Sequence, residues 1–224
     1  MQPFQTHIGR AAVLDWCDVN TDLIIPARYL KRTERSGYGP LLFADKRYEP
    51  GAAPPPDDPS NQGPLAADFP LNQPELRDAT VLVVGRNFGC GSSREHAVWA
   101  VQQAGFRAVV APGKGEGFAD IFESNAFKSG LLPIELDPGD WDALVAELRA
   151  APGRVQVEID LNECVLAAHT PTGDIRFSFE IPEEERRRLL RGLDAVAETL
   201  LLDDAITAHE RSRPAWLAAS STPA

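Results

Sequence analysis

Three features predict an α/β fold for this chain: short apolar runs rich in β-branched residues, stretches of helical period that alternate with them, and a late switch to a period of two. The first strand is expected over residues 8–14. Val19-Asn-Thr-Asp-Leu-Ile-Ile-Pro26 then reads as a turn, with Thr21 and Asp22 as turn formers, leading into an apolar segment that Pro26 ends. Residues 27–49 mix Arg28, Tyr29, Lys31, Arg32, Arg35 and Tyr38 with glycines, a basic and aromatic patch whose default description is a solvated loop and whose functional one is a site rim. Six prolines within residues 50–64 mark an extended surface loop.

A covered strand at 81–84 feeds, through a glycine loop, a helix in which Ala97, Val98, Val101 and Ala104 recur until Gly105 stops them. A second strand at 107–111, a helix at 118–128 ended by Gly130 and a third strand at 131–136 complete a βαβαβ unit. That alternation implies a parallel sheet whose ligands bind at the carboxyl ends of the strands. Asp140 is expected to cap a helix running to Ala150. Val155, Val157 and Ile159, then Ile175, Phe177 and Phe179, alternate with polar residues on either side of a Thr170-Pro-Thr-Gly173 turn, which reads as an antiparallel ribbon. Pro182 and the glutamates after it open a helix, residues 193–206 continue as apolar-striped helix, and residues 211–224 are expected as a loose tail. Residues 1–224 thus read as a single domain with a C-terminal helical extension.

Composition excludes several function classes. Of 224 residues, 22 are Lys or Arg and 33 are Asp or Glu, a net charge of −11, which disfavours nucleic acid and anionic membranes as partners. An acidic ligand has to be captured locally. Cys17, Cys90 and Cys164 are far apart and odd in number, so neither a disulfide framework nor a metal site is expected. With no signal pattern and no run near the ~18 apolar residues of a membrane span, a reduced cytoplasmic setting is expected.

The chemistry is concentrated in Gly85-Arg-Asn-Phe-Gly-Cys-Gly-Ser-Ser-Arg-Glu-His96, between strand and helix. Gly85, Gly89 and Gly91 permit positive φ and close approach of backbone N–H groups, and the helix N-terminus adds partial positive charge. Ser92-Ser-Arg-Glu95 also fits a capping box, which would account for Ser92 and Glu95 without any ligand. Capping leaves Ser93, Arg94 and the glycines unexplained. The loop lacks the Lys-Ser/Thr of a P-loop and the third glycine of a dinucleotide fingerprint, so a small organic acid is the expected ligand. A rival site is Ala111-Pro-Gly-Lys-Gly-Glu-Gly117, with Glu135 about twenty residues on, where a dinucleotide fold places its ribose-binding acid. Its glycine spacing is wrong for that fold, and a flexible insertion is expected. A non-enzymatic anion- or nucleotide-binding module on this cluster is the alternative of a different class.

Three blocks carry a resemblance: Val19-Asn-Thr-Asp-Leu-Ile-Ile-Pro26 with Tyr29-Leu30, Asn87-Phe-Gly-Cys-Gly-Ser-Ser-Arg-Glu-His-Ala97, and Phe118-Ala-Asp-Ile-Phe-Glu-Ser-Asn-Ala-Phe-Lys-Ser-Gly-Leu-Leu-Pro133. With Leu190-Arg-Gly-Leu-Asp194 and Pro214-Ala-Trp216, they make the chain resemble the small subunits of 3-isopropylmalate dehydratases, aconitase-like isomerases of leucine biosynthesis. The resemblance implies an aconitase-type swivelling domain of layered β/β/α form, with the parallel βαβαβ core, the antiparallel ribbon and the C-terminal helices. It implies conversion of 2-isopropylmalate to 3-isopropylmalate through isopropylmaleate, with Ser92 catalytic and Gly91, Ser93 and Arg94 binding substrate. By the same analogy Arg32, Arg35 and Tyr38 line the variable part of the substrate. A [4Fe–4S] cluster is expected on a separate large subunit, with which this chain forms a heterodimer or heterotetramer and without which it is inactive. Relatives acting on homoaconitate, citraconate or dimethylmaleate share the serine block, so the block specifies reaction type better than substrate. Two departures are Gly113-Lys-Gly-Glu-Gly117 in place of a shorter connection, and Asn20 where an aspartate is common. His96 and Cys90 are expected as a helix-face histidine and a buried thiol.

Overall fold

The structure, a computed structural model, describes residues 1–213; Pro214-Ala-Trp216 and the rest of the expected tail lie outside the described residues. Among the described residues seven strands, β1 (Thr6–Leu14), β2 (Ala79–Val84), β3 (Ala108–Pro112), β4 (Leu132–Leu136), β5 (Gln156–Asp160), β6 (Val165–Thr170) and β7 (Gly173–Ser178), form one sheet in the order β4-β3-β2-β1-β5-β6-β7. The helices are α1 (Thr21–Ile24), α2 (Ala44–Arg47), α3 (Glu95–Gln103), α4 (Asp120–Ser129), α5 (Pro138–Ala150), α6 (Glu183–Arg191), α7 (Ala195–Leu200) and α8 (Asp203–Ser212).

Strand β1 joins two sheet types. Its residues from Ala11 to Leu14 run parallel to Val81–Val84 of β2, while Thr6 to Arg10 run antiparallel to β5, and the register shifts between Arg10 and Ala11. From there β2, β3 and β4 are parallel and β5, β6 and β7 antiparallel. Alternation along β2 divides the core. Leu82 and Val84 pack with α3 and the segment around Tyr29 to Tyr48, whereas Val81 and Val83 pack with Leu144 and Leu148 of α5 and the apolar residues of β5 to β7. The parallel strands are buried on both faces, as their near-continuous apolar sequences require.

Several expectations are corrected. The ribbon has three strands, because Val165-Leu-Ala-Ala-His-Thr170 pairs with both neighbours; its two alanines blur the alternation that marks β5 and β7. Helix α5 starts at Pro138 with Asp137 at its N-cap, so Asp140 sits within the first turn, where its charge suits the helix dipole. The expected helix over 193–206 is two helices, since Leu200 ends α7 and Asp203-Asp204 start α8, acids favoured at a helix start over a helix middle. Arg211 and Ser212, expected in the tail, belong to the last turn of α8.

Residues 27–49 are not a solvated loop. Tyr29, Tyr38, Leu41, Leu42 and Phe43 are buried against α3 and the parallel sheet in short 3-10 and α turns. Polar ends are satisfied locally: the Tyr29 hydroxyl donates to Pro54 C=O at 2.8 Å and the Tyr48 hydroxyl to Pro40 C=O at 2.9 Å. The proline-rich stretch therefore lies as a strap against this segment. Leu42→Ala is expected to cost about 2–5 kcal/mol, as for a core strand residue. Denaturant unfolding checks it, because a loop side chain in solvent would change stability by no more than about 0.5 kcal/mol.

Candidate functional site

The loop after β2 is fixed at both ends of its glycine run. Gly89 has φ +80°, and a Cβ there would lie 2.3 Å from Phe122 of α4, so only glycine lets α4 pack this close. Gly91 has φ +92°, and a Cβ there would meet the Asn20 Cβ at an ordinary 3.5 Å, so it is the backbone conformation that favours glycine. Gly85 differs from expectation: it is not at positive φ, and glycine is required there because Trp16 C=O lies 2.5 Å from where a Cβ would be. Across from this loop, the Asn20 side chain accepts from Leu23 N–H at 2.8 Å and caps α1. Thr21 N–H donates to Cys90 C=O at 2.9 Å, its hydroxyl donates to Ser92 C=O at 3.0 Å, and Gly89 N–H donates to Val19 C=O at 2.8 Å.

The capping box does not form. Helix α3 begins at Glu95, its N-cap is Arg94 in an extended conformation, and among the described residues no side chain caps it. Ser92 lies outside the helix and is exposed, as are Gly91 and Ser93. The helix therefore presents an uncapped N-terminus beside two free hydroxyls, the arrangement that favours an anion. Arg94 is mostly buried, its side chain 16% exposed, and its Nη1 forms an ion pair with Asp22 of α1. That contact is not a directed hydrogen bond, and the guanidinium has further N–H groups to offer. Thr21 and Asp22, read from sequence as turn formers, are thus the residues that hold the loop and its arginine. The one available signal was Asn20, a good N-cap type just ahead of them.

Arg32, Arg35 and Tyr38 are gathered over the first turns of α3. The Tyr38 ring is buried edge-on to His96 at 5.5 Å between centroids and lies 5.6 Å from Trp99; the Arg32 guanidinium is 5.7 Å above Tyr38, and Arg35 is 5.8 Å from the Trp99 ring. Arg32 is engaged, donating to Pro56 C=O at 2.7 Å, whereas Arg35 is exposed. The Tyr38 hydroxyl is buried without a hydrogen-bond partner among the described residues, and burial pushes its pKa up. Burial raises the Cys90 thiol, with Asp18 adding to the effect, so a reactive thiolate is disfavoured.

The 113–117 loop is not a free insertion. The Glu135 carboxylate accepts from the N–H groups of Gly115 and Gly117, the latter at 2.8 Å, and Lys114 pairs with Asp137 at 3.0 Å. The acid that might have bound a ribose instead holds the loop, which in turn supports the serine loop: Asn87 N–H reaches Glu116 C=O and Phe88 N–H reaches Gly117 C=O, both at 2.9 Å. Among the described residues no three His, Cys, Asp or Glu side chains are grouped to hold a metal ion. Among the described residues no helix is long and apolar enough to cross a membrane.

The glycine loop, the uncapped helix N-terminus and the guanidinium gather at one end of the parallel half of a mixed sheet. The chain is of the aconitase class, because the Aconitase C-terminal domain family matches residues 1–139. The chain is 41% identical over 219 residues to the 3-isopropylmalate dehydratase small subunit of Bacillus subtilis, covering 98% of this chain and 100% of the relative. To the protein of that name from Methylibium petroleiphilum it is 46% identical over 225 residues, covering 97% and 98%. A crystal structure of 3-isopropylmalate dehydratase (leuD) from Methanocaldococcus jannaschii is similar at a TM-score of 0.56 and 29% identity, over 92% of this chain and 99% of that one. The chain belongs to the 3-isopropylmalate dehydratase small-subunit family, within the aconitase C-terminal domains.

His96 supplies a pH test. Burial, the largest cause, lowers its pKa; Glu95 pulls against it, and Arg94 adds a smaller lowering. The unfolded chain therefore takes up this proton first as pH falls. His96's contribution to stability is complete above the ordinary histidine value and is lost as pH falls through the folded one. By NMR titration, His96 is expected below a model peptide. His169, bonded to Asp174 at 3.0 Å and Glu158 at 3.1 Å, which raise it, is expected above.

Proposed function

We infer that this chain is the small subunit of an aconitase-type hydro-lyase that isomerises 2-isopropylmalate to 3-isopropylmalate, and that residues 91–94 hold a substrate carboxylate. The observation that carries the site is the uncapped N-terminus of α3 with exposed Ser92 and Ser93 beside a guanidinium held by Asp22. The reaction removes a proton from the carbon next to a carboxylate, expels a hydroxyl, and returns both to exchanged positions. Proton removal drives negative charge into the neighbouring carboxylate. Backbone N–H groups, the helix dipole and Arg94 are what this chain offers to that charge.

Ser92 is the proposed base. A serine hydroxyl is a poor base at its ordinary pKa, so its alkoxide needs the positive field of the helix start and Arg94. The departing hydroxyl needs a Lewis acid, for which this chain has no ligand set among its described residues; we assign that role to a cluster on the large subunit. The chain's own task is to bind carboxylate, orient it and move one proton. Arg35, exposed at the rim, is the candidate to meet the variable end of the substrate, with Arg32 and Tyr38 behind it. The biosynthetic reading places the assembly in the cytoplasm. The nucleotide-binding alternative is disfavoured because Gly115 and Gly117 N–H groups, the natural phosphate donors of that loop, are held by a carboxylate.

The test is an anaerobic assay of this chain with its cluster-reconstituted large subunit, offered 2-isopropylmalate, citraconate and homoaconitate separately. Turnover of 2-isopropylmalate that requires both chains is expected; preference for another acid would move the substrate, and tight ATP or NAD binding with no turnover would overturn the reading. Ser92→Ala is expected to lower kcat by about 10²–10⁴. Arg94→Lys keeps the charge but loses the planar fork, and KM is expected to rise about 10- to 100-fold, the equivalent of one charge-assisted hydrogen bond.

A further inference from the structure

We propose that Thr21 is a positioning residue that aims the peptide N–H groups of Gly91 and Ser93 at the substrate carboxylate, an inference that rests on the carboxylate-site reading above. Thr21, at 2% exposure, is the only buried polar residue among those described apart from the tyrosines. It grips two carbonyls of the serine loop at once, Cys90 C=O through its N–H at 2.9 Å and Ser92 C=O through its hydroxyl at 3.0 Å. In a planar trans peptide the C=O of one residue and the N–H of the next point in opposite directions. With the Cys90 and Ser92 carbonyls both turned in to Thr21, the Gly91 and Ser93 N–H groups are turned away from α1. Both residues are exposed, and among the described residues neither N–H donates a hydrogen bond.

Two alternate N–H groups pointing the same way beside an uncapped helix start form an anion-binding concavity. Charge grows on the carboxylate as the neighbouring carbon loses its proton, so donors aimed there act most strongly in the transition state. The threonine's two contacts are separable. Any side chain at position 21 leaves the backbone bond to Cys90 and hence the direction of Gly91 N–H, whereas the Ser92–Ser93 peptide depends on the hydroxyl. That peptide turns about ψ of Ser92 and φ of Ser93, and among the described residues the threonine hydroxyl is the one donor to its carbonyl, so nothing else holds its direction once the hydroxyl is gone.

The experiment compares Thr21→Val, which keeps the branched shape without the hydroxyl, and Thr21→Ser, which keeps the hydroxyl, in the assembled two-chain enzyme with 2-isopropylmalate. Thr21→Val is expected to lower kcat by roughly 10- to 100-fold, part of the loss seen when a whole oxyanion donor is deleted, while KM moves less. Thr21→Ser is expected within about threefold of wild type, with large-subunit affinity unchanged in both and the melting temperature of Thr21→Val lowered by only the few degrees (~2–6 °C) that one lost hydrogen bond brings. A Thr21→Val enzyme with wild-type kcat would overturn the proposal, as would a loss shared equally by Thr21→Ser or matched by weakened assembly. If the wild-type assembly itself turned over no isopropylmalate, the functional reading would fail instead. Amide NMR of the isolated chain then decides for Thr21: a Ser93 resonance shifted in Thr21→Val with Gly91 in place supports the clamp, and an unmoved Ser93 refutes it.

Discussion

The pairing of residues 19–21 with residues 89–92 is the contact on which the candidate site depends, because it is what fixes an otherwise glycine-rich loop. Three hydrogen bonds make it: Gly89 N–H to Val19 C=O, Thr21 N–H to Cys90 C=O and the Thr21 hydroxyl to Ser92 C=O. Each is worth only about 0.5–1.5 kcal/mol. Their value is directional, since together they fix where the loop's remaining N–H groups point. The one-turn α1 is too short to stand alone, and its geometry comes from the Asn20 cap at one end and buried Ile24 and Ile25 at the other.

The pairing is possible because of where β1 lies. As the strand that ends the parallel half of the sheet and begins the antiparallel half, β1 delivers residues 15–26 to the carboxyl end of β2, the end from which the serine loop also leaves. On the other side, the 113–117 loop arrives from β3 and supports Asn87 and Phe88. Three strand ends thus converge on one loop, consistent with ligands binding at the carboxyl ends of parallel strands. Asp22 brings a negative charge to Arg94 within a chain of net charge −11. On the proposed reading an acidic substrate meets a small local field of N–H groups and the Arg94 guanidinium.

Much of this was legible from residues. The βαβαβ unit followed from runs such as Val81-Leu-Val-Val84, whose burial on both faces leaves little choice of element. The serine loop stood out because three glycines and two hydroxyls between strand and helix exceed what a cap needs. What stayed hidden depends on long-range pairing. Strand β6 was missed because its alanines weaken the period of two, and α3 starts at Glu95, not after Ser92, because α1 holds the Ser92 carbonyl and leaves Arg94 extended. Likewise Glu135 looked like a ligand residue by spacing, and only the folded chain shows its carboxylate spent on Gly115 and Gly117. The rim at Arg32 and Tyr38 read as solvated because its aromatic anchors are spaced irregularly, without helical or strand period.

The most direct measurement is a structure of the two-chain enzyme with 2-isopropylmalate bound. The account predicts one substrate carboxylate within hydrogen-bond distance of the Gly91 and Ser93 N–H groups and of Arg94, the Ser92 hydroxyl facing the carbon that loses its proton, and the Thr21 contacts intact. A carboxylate bound away from residues 91–94, or held by the 113–117 loop with Ser92 turned from the substrate, would contradict it.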